Sequence, residues 1–391
     1  MKILDKISEF QFKHAAWVLV FALILTLLLG VKITSISMQS DMSKMRPQDL
    51  EIYNLADEVK DNFGGQDVSL VLLRIEDSEK GGLYDIRDPE IIRFLIKLEL
   101  QLADEEVVES VQSVGKLFTE ETIPKSLRQS KEIFSNIPMT DSMFNKDYSA
   151  TMMLIFSDLG GENSIKELED VINEALSQTS KPNGLKVYVT GIPQIRIMIM
   201  DLLLNDAIFT LSLSAFLIFL LLIVLEKSFT KAFLIFVPLV LGISWTMGAM
   251  GWMGIELSVA TVGIGAMILG LGVEYGVFIV SRYSEERRKK SSKDSLQITV
   301  REVGGSVLGS GITTVMGFLA LTLSVMPMMQ DLGLSLALGI TFSLMAAVFI
   351  NPALIILEEQ LELWLTDRQY KKFSEKKENH KIRRKLDEKN N

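Results

Sequence analysis

HAAWVLVFALILTLLLGVKI, residues 14–33, runs from His14 to Lys32 without a charge. A helix needs about 20 apolar residues to cross the hydrocarbon core of a bilayer, so this stretch has the length of one crossing. Lys2, Lys6 and Lys13 precede it, as they would precede a secretory signal peptide. The run is too long for a signal peptide's apolar segment and has no convincing small-residue cleavage site, so it reads as a membrane anchor. Five further apolar stretches follow residue 204, over approximately 205–225, 229–252, 257–281, 306–326 and 332–357. The expectation is six spans, one early and five late.

The loops orient these spans. Lys227 and Lys231 lie between spans two and three, and Arg287, Arg288, Lys289, Lys290 and Lys293 lie between four and five. Another basic run from Lys371 to Lys385 follows span six, whereas the alternate loops, MGIE near 253 and MPMMQD near 326, carry no Lys or Arg. Positive charge is retained on the cytoplasmic side, so both termini are expected there, at the plasma membrane. The net charge of −9 therefore hides an asymmetry between an acidic segment after span one and basic loops and tail. The tail suits either anionic lipid or a solvated end.

Residues 34–200 are too many for a loop, since structureless connections beyond about 15 residues are uncommon. Runs at 68–75, 107–114, 149–157 and 185–190 read as strands, and 89–102 and 163–177 as helices, the latter capped by Asn163 or Ser164. Strand, helix, strand, twice over, predicts an α+β, ferredoxin-like split-βαβ layer with a helical insertion near 116–146. The expected organisation is a cytoplasmic N-terminus (1–13), span one (14–33), an extracytoplasmic domain (34–200), a bundle of spans two to six (201–365) and a basic tail (366–391). The chain has no cysteine, so neither disulfides nor thiolate or cysteine–zinc chemistry is available.

Enzyme signatures do not assemble. The two histidines, His14 and His380, form no HExxH pair, and neither GxSxG nor a Walker A loop occurs. No metal, cofactor or nucleic acid is expected.

The chemistry concentrates in span four. Taking Arg282 as its cytoplasmic anchor, eight residues at about 1.5 Å each place Glu274 on the order of 12 Å into the membrane. A carboxyl at such depth costs about 2.5–3.5 kcal/mol on insertion scales and usually faces protein or a water path. Burial favours the neutral form of a carboxyl, so Glu274 suits a proton switch, with the Tyr275 hydroxyl beside it to orient the group or its water. The plainer reading is a structural polar contact to Thr313, Thr314 or Asn351, which are also the candidate relay partners. Gly265, Gly270, Gly272 and Gly276 on span four, and Gly305, Gly309, Gly311 and Gly317 on or beside span five, suit close helix packing. Met198, Met200, Met326, Met328 and Met329 suit either a flexible apolar surface for an amphiphilic ligand or ordinary core and lipid contact.

With these residues in view, the chain resembles the resistance-nodulation-division superfamily, in particular its MmpL and hydrophobe/amphiphile-efflux members. GLGVEYGVFIVSRYSEE (270–286) is similar to the family's fourth-span G-x-x-x-D-Y-x-x-F-x-x-x-R-x-x-E pattern, with Glu274 and Tyr275 in the places of the Asp-Tyr proton relay. SDMSKMRP (40–47), VTGIP (189–193), GGSVLGSGITTVMGFLALTLS (304–324) and NPALIIL (351–357) extend the likeness over nearly the whole chain. Glutamate replaces the usual aspartate, which keeps the carboxyl and lengthens its reach. Typical members carry two such halves, with the relay between their fourth spans. The resemblance therefore implies self-association of this single half, as a homodimer or a higher oligomer. It also implies an exporter of lipidic or other hydrophobic molecules driven by protons, with the outer domain as porter. A lipid-sensing module like sterol-sensing relatives, and a protein-translocation accessory like the SecD and SecF branch, are the alternatives.

Overall fold

A computed structural model of the chain describes residues 2–39, 46–47, 50–63, 67–76, 83–119, 121–137, 142–157, 159 and 162–366. Most of the SDMSKMRP stretch and the basic tail from 367 onward lie outside the described residues. The chain divides into two compact units, one made of Met1–Met38 with Asn205–Asn391 and the other of Gln39–Leu204.

In the first unit, α1 (Lys2–Lys13) precedes α2 (Ala15–Gly30), which continues through a 3-10 turn to Ser35 as span one. In the second unit, α3 (Glu51–Phe63), β1 (Asp67–Ile75), α4 (Pro89–Ala103), β2 (Ser110–Gln112), α5 (Leu127–Ser135), β3 (Ala150–Ser157), α6 (Glu162–Gln178) and β4 (Leu185–Gly191) follow in order. The remaining spans are α7 (Ile192–Glu226), α8 (Phe229–Met253), α9 (Ile264–Arg287), α10 (Ser292–Ala320) and α11 (Pro327–Met345). A π-helical turn, Ala346–Ile350, carries α11 on as helix to Thr366. Six helical segments among the described residues are thus long and apolar enough to cross a membrane.

The four strands form one antiparallel sheet in the order β2-β3-β1-β4. Alternation along β1 sends Ser69, Val71 and Leu73 to the buried face, where they meet Met153 and Ile155 of β3. Ile91, Leu95, Leu98 and Leu102 recur on one face of α4, and Ile165, Leu168 and Ile172 on one face of α6, to close that core. Asp88 caps α4 by accepting from the Glu90 amide, with Pro89 in the first turn. The strand expected over 107–114 is only three residues long, because Val114 already opens a 3-10 turn capped by Ser113. The insertion holds α5, whose Phe134 packs edge-on against Phe118 and Phe144.

β4 enters α7 without a loop. Gly191 has a φ of 137°, and a side chain there would collide with the Val68 carbonyl and come within 2.8 Å of the Ser69 Cα. One turn into α7, Arg196 pairs with the buried Asp67 at 2.7 Å and Gln194 donates to Ser69 at 3.0 Å, so VTGIP holds the helix start against β1.

The spans pack through glycine and small polar groups. Gly248 of span three lies against Leu29 of span one, and Trp245 donates to Thr26 at 2.8 Å. Ser343 of span six fits between Gly242 of span three and Gly272 of span four. Pro352 has no N–H for the Val348 carbonyl one turn back, and Gln11 of α1 donates to that oxygen at 2.9 Å instead.

Span four begins at Ile264, not at 257. The Ser258 amide bonds the Thr261 hydroxyl at 2.7 Å, and this turn fills the apolar-looking stretch before the helix. Span two extends back to Ile192, and the fifth span's helix back to Ser292.

Two outcomes test these contacts of the α+β unit. Gly191→Ala is expected to lower its stability by more than about 1 kcal/mol, read as a fall in thermal midpoint. Burial pushes the Asp85 carboxyl up, but the hydrogen bonds from Arg87 and Lys131 outweigh burial and hold it at about 2. A carboxyl lowered on folding stabilises above its unfolded value near 3.8 and loses that contribution as pH falls toward 2. The stability gap between the wild type and Asp85→Asn, up to about 2 kcal/mol, should therefore be full at pH 5 and close as pH falls to 2.

Candidate functional site

Span four carries two opposite faces. Gly272, Tyr275, Gly276, Ile279 and Val280 are buried, while Met267, Leu271, Glu274 and Phe278 are exposed, at the one-turn and two-turn spacings that align side chains along a helix. Glu274 therefore stands on an uncovered apolar stripe of this chain, and among the described residues no hydrogen bond or ion pair reaches it.

Its neighbour points the other way. Tyr275 is 1% exposed and turned toward span five, with the Thr314 side chain near its hydroxyl. Thr314 donates in turn to the Ser310 carbonyl at 3.0 Å. Thr313 is exposed and donates to the same carbonyl at 2.8 Å. Asn351 is fully buried on the far side of span four, where a side chain on Gly276 would lie 3.1 Å from its Nδ2. Among the described residues of this chain, none of Thr313, Thr314 and Asn351, the candidate contacts and relay partners, hydrogen-bonds Glu274. Thr314 belongs to Tyr275, Asn351 to Gly276, and neither to Glu274, because three successive residues of a helix face three directions about 100° apart.

The glycines divide in the same way. Gly265 packs on Leu211, Gly272 on Leu239 and Ser343, Gly276 on Ile235 and Asn351, and Gly311 on Leu344. Gly270, Gly305, Gly309 and Gly317 face open space, with nothing among the described residues within 4 Å of where a Cβ would stand. With the exposed Ser306, Ser310 and Thr313 they leave span five with a smooth outer stripe. Among the methionines, Met198 is exposed while Met200 is buried and belongs to the interior; Met326 and Met329 are partly exposed.

Between spans four and five lies a recess of about 470 Å³, lined by Tyr275, Phe278, Arg282, Glu302, Ser306 and Ser310 among others. Arg282 bonds Glu302 of span five at 2.8 Å, and also Glu285 and Glu286 at 2.9 and 2.8 Å. Nearby, Glu359 of span six accepts from Tyr283 at 2.7 Å and from Arg287 at 2.8 Å. These contacts tie together the ends of spans four and five with span six one to two turns before Thr366. Sequence reasoning passed over Glu302, Ser306 and Ser310, although with Thr314 they recur every fourth residue along span five. Among the described residues, no group of three or more His, Asp or Glu is placed to hold a metal ion.

Six apolar helices and one compact α+β unit, with a carboxyl on the open face of the fourth span, define a multi-pass membrane protein. The sequence pattern of the MMPL family matches residues 44–383, and the chain belongs to that family. It is 34% identical over 367 residues to MJ1562 of Methanocaldococcus jannaschii, covering 92% of this chain and 95% of that one. It is also 28% identical over 260 residues to the siderophore exporter MmpL5 of Mycobacterium tuberculosis, covering 62% of this chain and 26% of MmpL5. Identity to MmpL9 of the same organism is 26% over 203 residues, covering 50% of this chain and 21% of MmpL9. The matches to the MmpL proteins thus span about a quarter of those chains' own length.

A consequence concerns the buried half of the pair. Tyr275→Phe keeps the ring and removes the hydroxyl that meets Thr314. It is expected to cost no more than about 1.5 kcal/mol of stability, the net worth of one hydrogen bond, whereas Tyr275→Ala should cost about 3–5 kcal/mol; thermal unfolding in detergent checks both.

Proposed function

We propose that this protein is a secondary active transporter that exports lipidic or other hydrophobic molecules, driven by proton-motive force through Glu274 and Tyr275. The observation that carries this reading is the position of Glu274, a carboxyl on an apolar stripe in mid-span with no hydrogen-bond or ion-pair partner among the described residues. Such a group is stable in hydrocarbon only against protein or water. A second copy of the chain supplies the protein side. In a two-fold homodimer built on the open faces of spans four and five, the two Glu274 carboxyls lie near one axis, and the open glycines let the backbones approach.

Protonation and ionisation of the pair then favour different packings of that interface, a two-state element biased by one proton. Each charge that crosses is worth about 2.3 kcal/mol per 100 mV of membrane potential, which is adequate in scale for moving such an element. The strand order β2-β3-β1-β4 with two helical crossovers supports a ferredoxin-like porter domain, and the basic loops between the spans favour the extracytoplasmic side for it. Both termini then lie in the cytoplasm. The export activity in the name of MmpL5 supports transport over reception alone.

The test begins with the lipids that co-purify with the protein, identified by mass spectrometry and loaded into proteoliposomes carrying a pH gradient. Glu274→Gln is expected to reduce their gradient-driven movement at least 100-fold while folding and association persist. Undiminished movement overturns the relay, and lipid binding indifferent to the gradient indicates a sensing module.

A further inference from the structure

Span one is held to the bundle near both ends. Leu29 lies against Gly248 of span three, and Gln11 of α1, just ahead of the span, bonds the Val348 carbonyl of span six at 2.9 Å. Between these contacts a cleft of about 410 Å³ opens among spans one, three and six. Trp17, Phe21 and Leu25 recur every fourth residue along its span-one wall, Met345 and Phe349 line the span-six wall, and the buried Trp245 of span three stands at the back. Every lining side chain is aliphatic, aromatic or a thioether. The Trp245 indole N–H already donates to Thr26 at 2.8 Å, so the back of the cleft has no hydrogen bond to offer a polar ligand.

Shape narrows the choice of occupant. From Trp17 to Leu25 the wall runs roughly 12 Å at about 1.5 Å per residue, so the cleft has a cross-section on the order of 35 Å². A helix with side chains, about 10–12 Å across, needs roughly 80–110 Å², so a span of a second copy is too wide to enter. A hydrocarbon chain, one methylene wide, fits. Its entrance is also marked. The helix breaks at His14, where Phe10 and Trp17 line the same end of the cleft and the exposed Lys13 and His14 stand beside it. Aromatic and basic residues together belong at the boundary between headgroups and hydrocarbon. From there the cleft leads inward: Thr26, the partner of Trp245, is twelve residues past His14, on the order of 18 Å along the span and near the middle of a core about 30 Å thick.

We propose that this cleft is a binding site for one acyl chain of a bilayer phospholipid, inserted from the headgroup level at His14 toward Trp245. The lipid is resident and is not cargo, because Gln11 and Gly248 tie the walls together on either side of it. Its chain covers Met345 and Phe349, each 40% exposed, at the π-helical turn Ala346–Ile350 of span six. No side chain at the back selects a headgroup, so the site reads the chain. The assignment stands on the packing of the bundle and is independent of proton coupling and export.

Tryptophan fluorescence tests it in the full chain. Replacing Trp17, Trp252 and Trp364 by Phe leaves Trp245 as the sole indole. The protein is reconstituted in phosphatidylcholine brominated in the distal half of its acyl chains, which quenches indoles only on close approach, and in the unbrominated lipid as reference. Trp245, although 4% exposed, is expected to be strongly quenched. Adding Val18→Phe or Leu25→Phe, which fill the cleft from two levels of span one, should weaken that quenching at least threefold, with size-exclusion chromatography confirming that each variant is folded. Either filled variant suffices if the other fails to fold. No quenching of Trp245 means that protein or another ligand closes the cleft, and overturns the proposal. Quenching that is equal with and without the filling side chain overturns it too, because the bromines then reach Trp245 by another route.

Discussion

A carboxyl has few stable places in hydrocarbon, and that constraint organises this molecule. Glu274 sits midway along a span whose other outward residues are Met267, Leu271 and Phe278, so the open face is apolar except at one point. Everything near that point is shaped to let something approach it. Gly270 lies one turn away with nothing over it, and Gly305 and Gly309 flatten the adjoining span. On the opposite face the helix is locked, with Gly272 and Gly276 pressed on Ser343 and Asn351. Span four is thus anchored behind and uncovered in front, which suits an element that meets a second subunit and moves against it.

The bundle stiffens this arrangement at the tail-side end. Arg282 and Arg287 each bridge span four to a neighbour, one to Glu302 and the other to Glu359. Exposed ion pairs are individually worth little, so their role is register more than stability. Behind them, the Pro352 interruption of span six is covered by Gln11, which makes the N-terminal helix part of the bundle. In the other unit, Gly191 lets strand β4 become span two without a linker, and the Asp67–Arg196 pair fixes that junction within the α+β unit.

Much of this was legible in the amino-acid order. Hydropathy and length alone separate six spans, because a crossing helix must be apolar all round and leaves no periodic ambiguity. The β-rich runs at 68–75 and 149–157 read correctly, since β-branched and other apolar residues sustained over eight positions between turn-forming neighbours suit a strand and are too short to cross a membrane. Boundaries were less legible where an apolar segment is not helical: Leu257 to Gly263 looks like membrane and is a turn held by Ser258 and Thr261. The neighbours of Glu274 were not legible at all. Thr313, Thr314 and Asn351 are all polar and at plausible depth, and only the packed arrangement assigns Thr314 to Tyr275 and Asn351 to Gly276. The four-residue spacing of Glu302, Ser306, Ser310 and Thr314 was visible, but a run of small residues reads first as a packing stripe.

The central claim is that the face bearing Glu274 is covered by the same face of a second copy. Cysteine cross-linking in membranes tests it most directly, with Leu271→Cys as the probe and Val224→Cys, on the exposed side of span two, as the comparison. A covering second copy predicts that oxidation converts most Leu271→Cys protein to a covalent dimer and leaves Val224→Cys monomeric. A dimer at Val224→Cys with none at Leu271→Cys would contradict it.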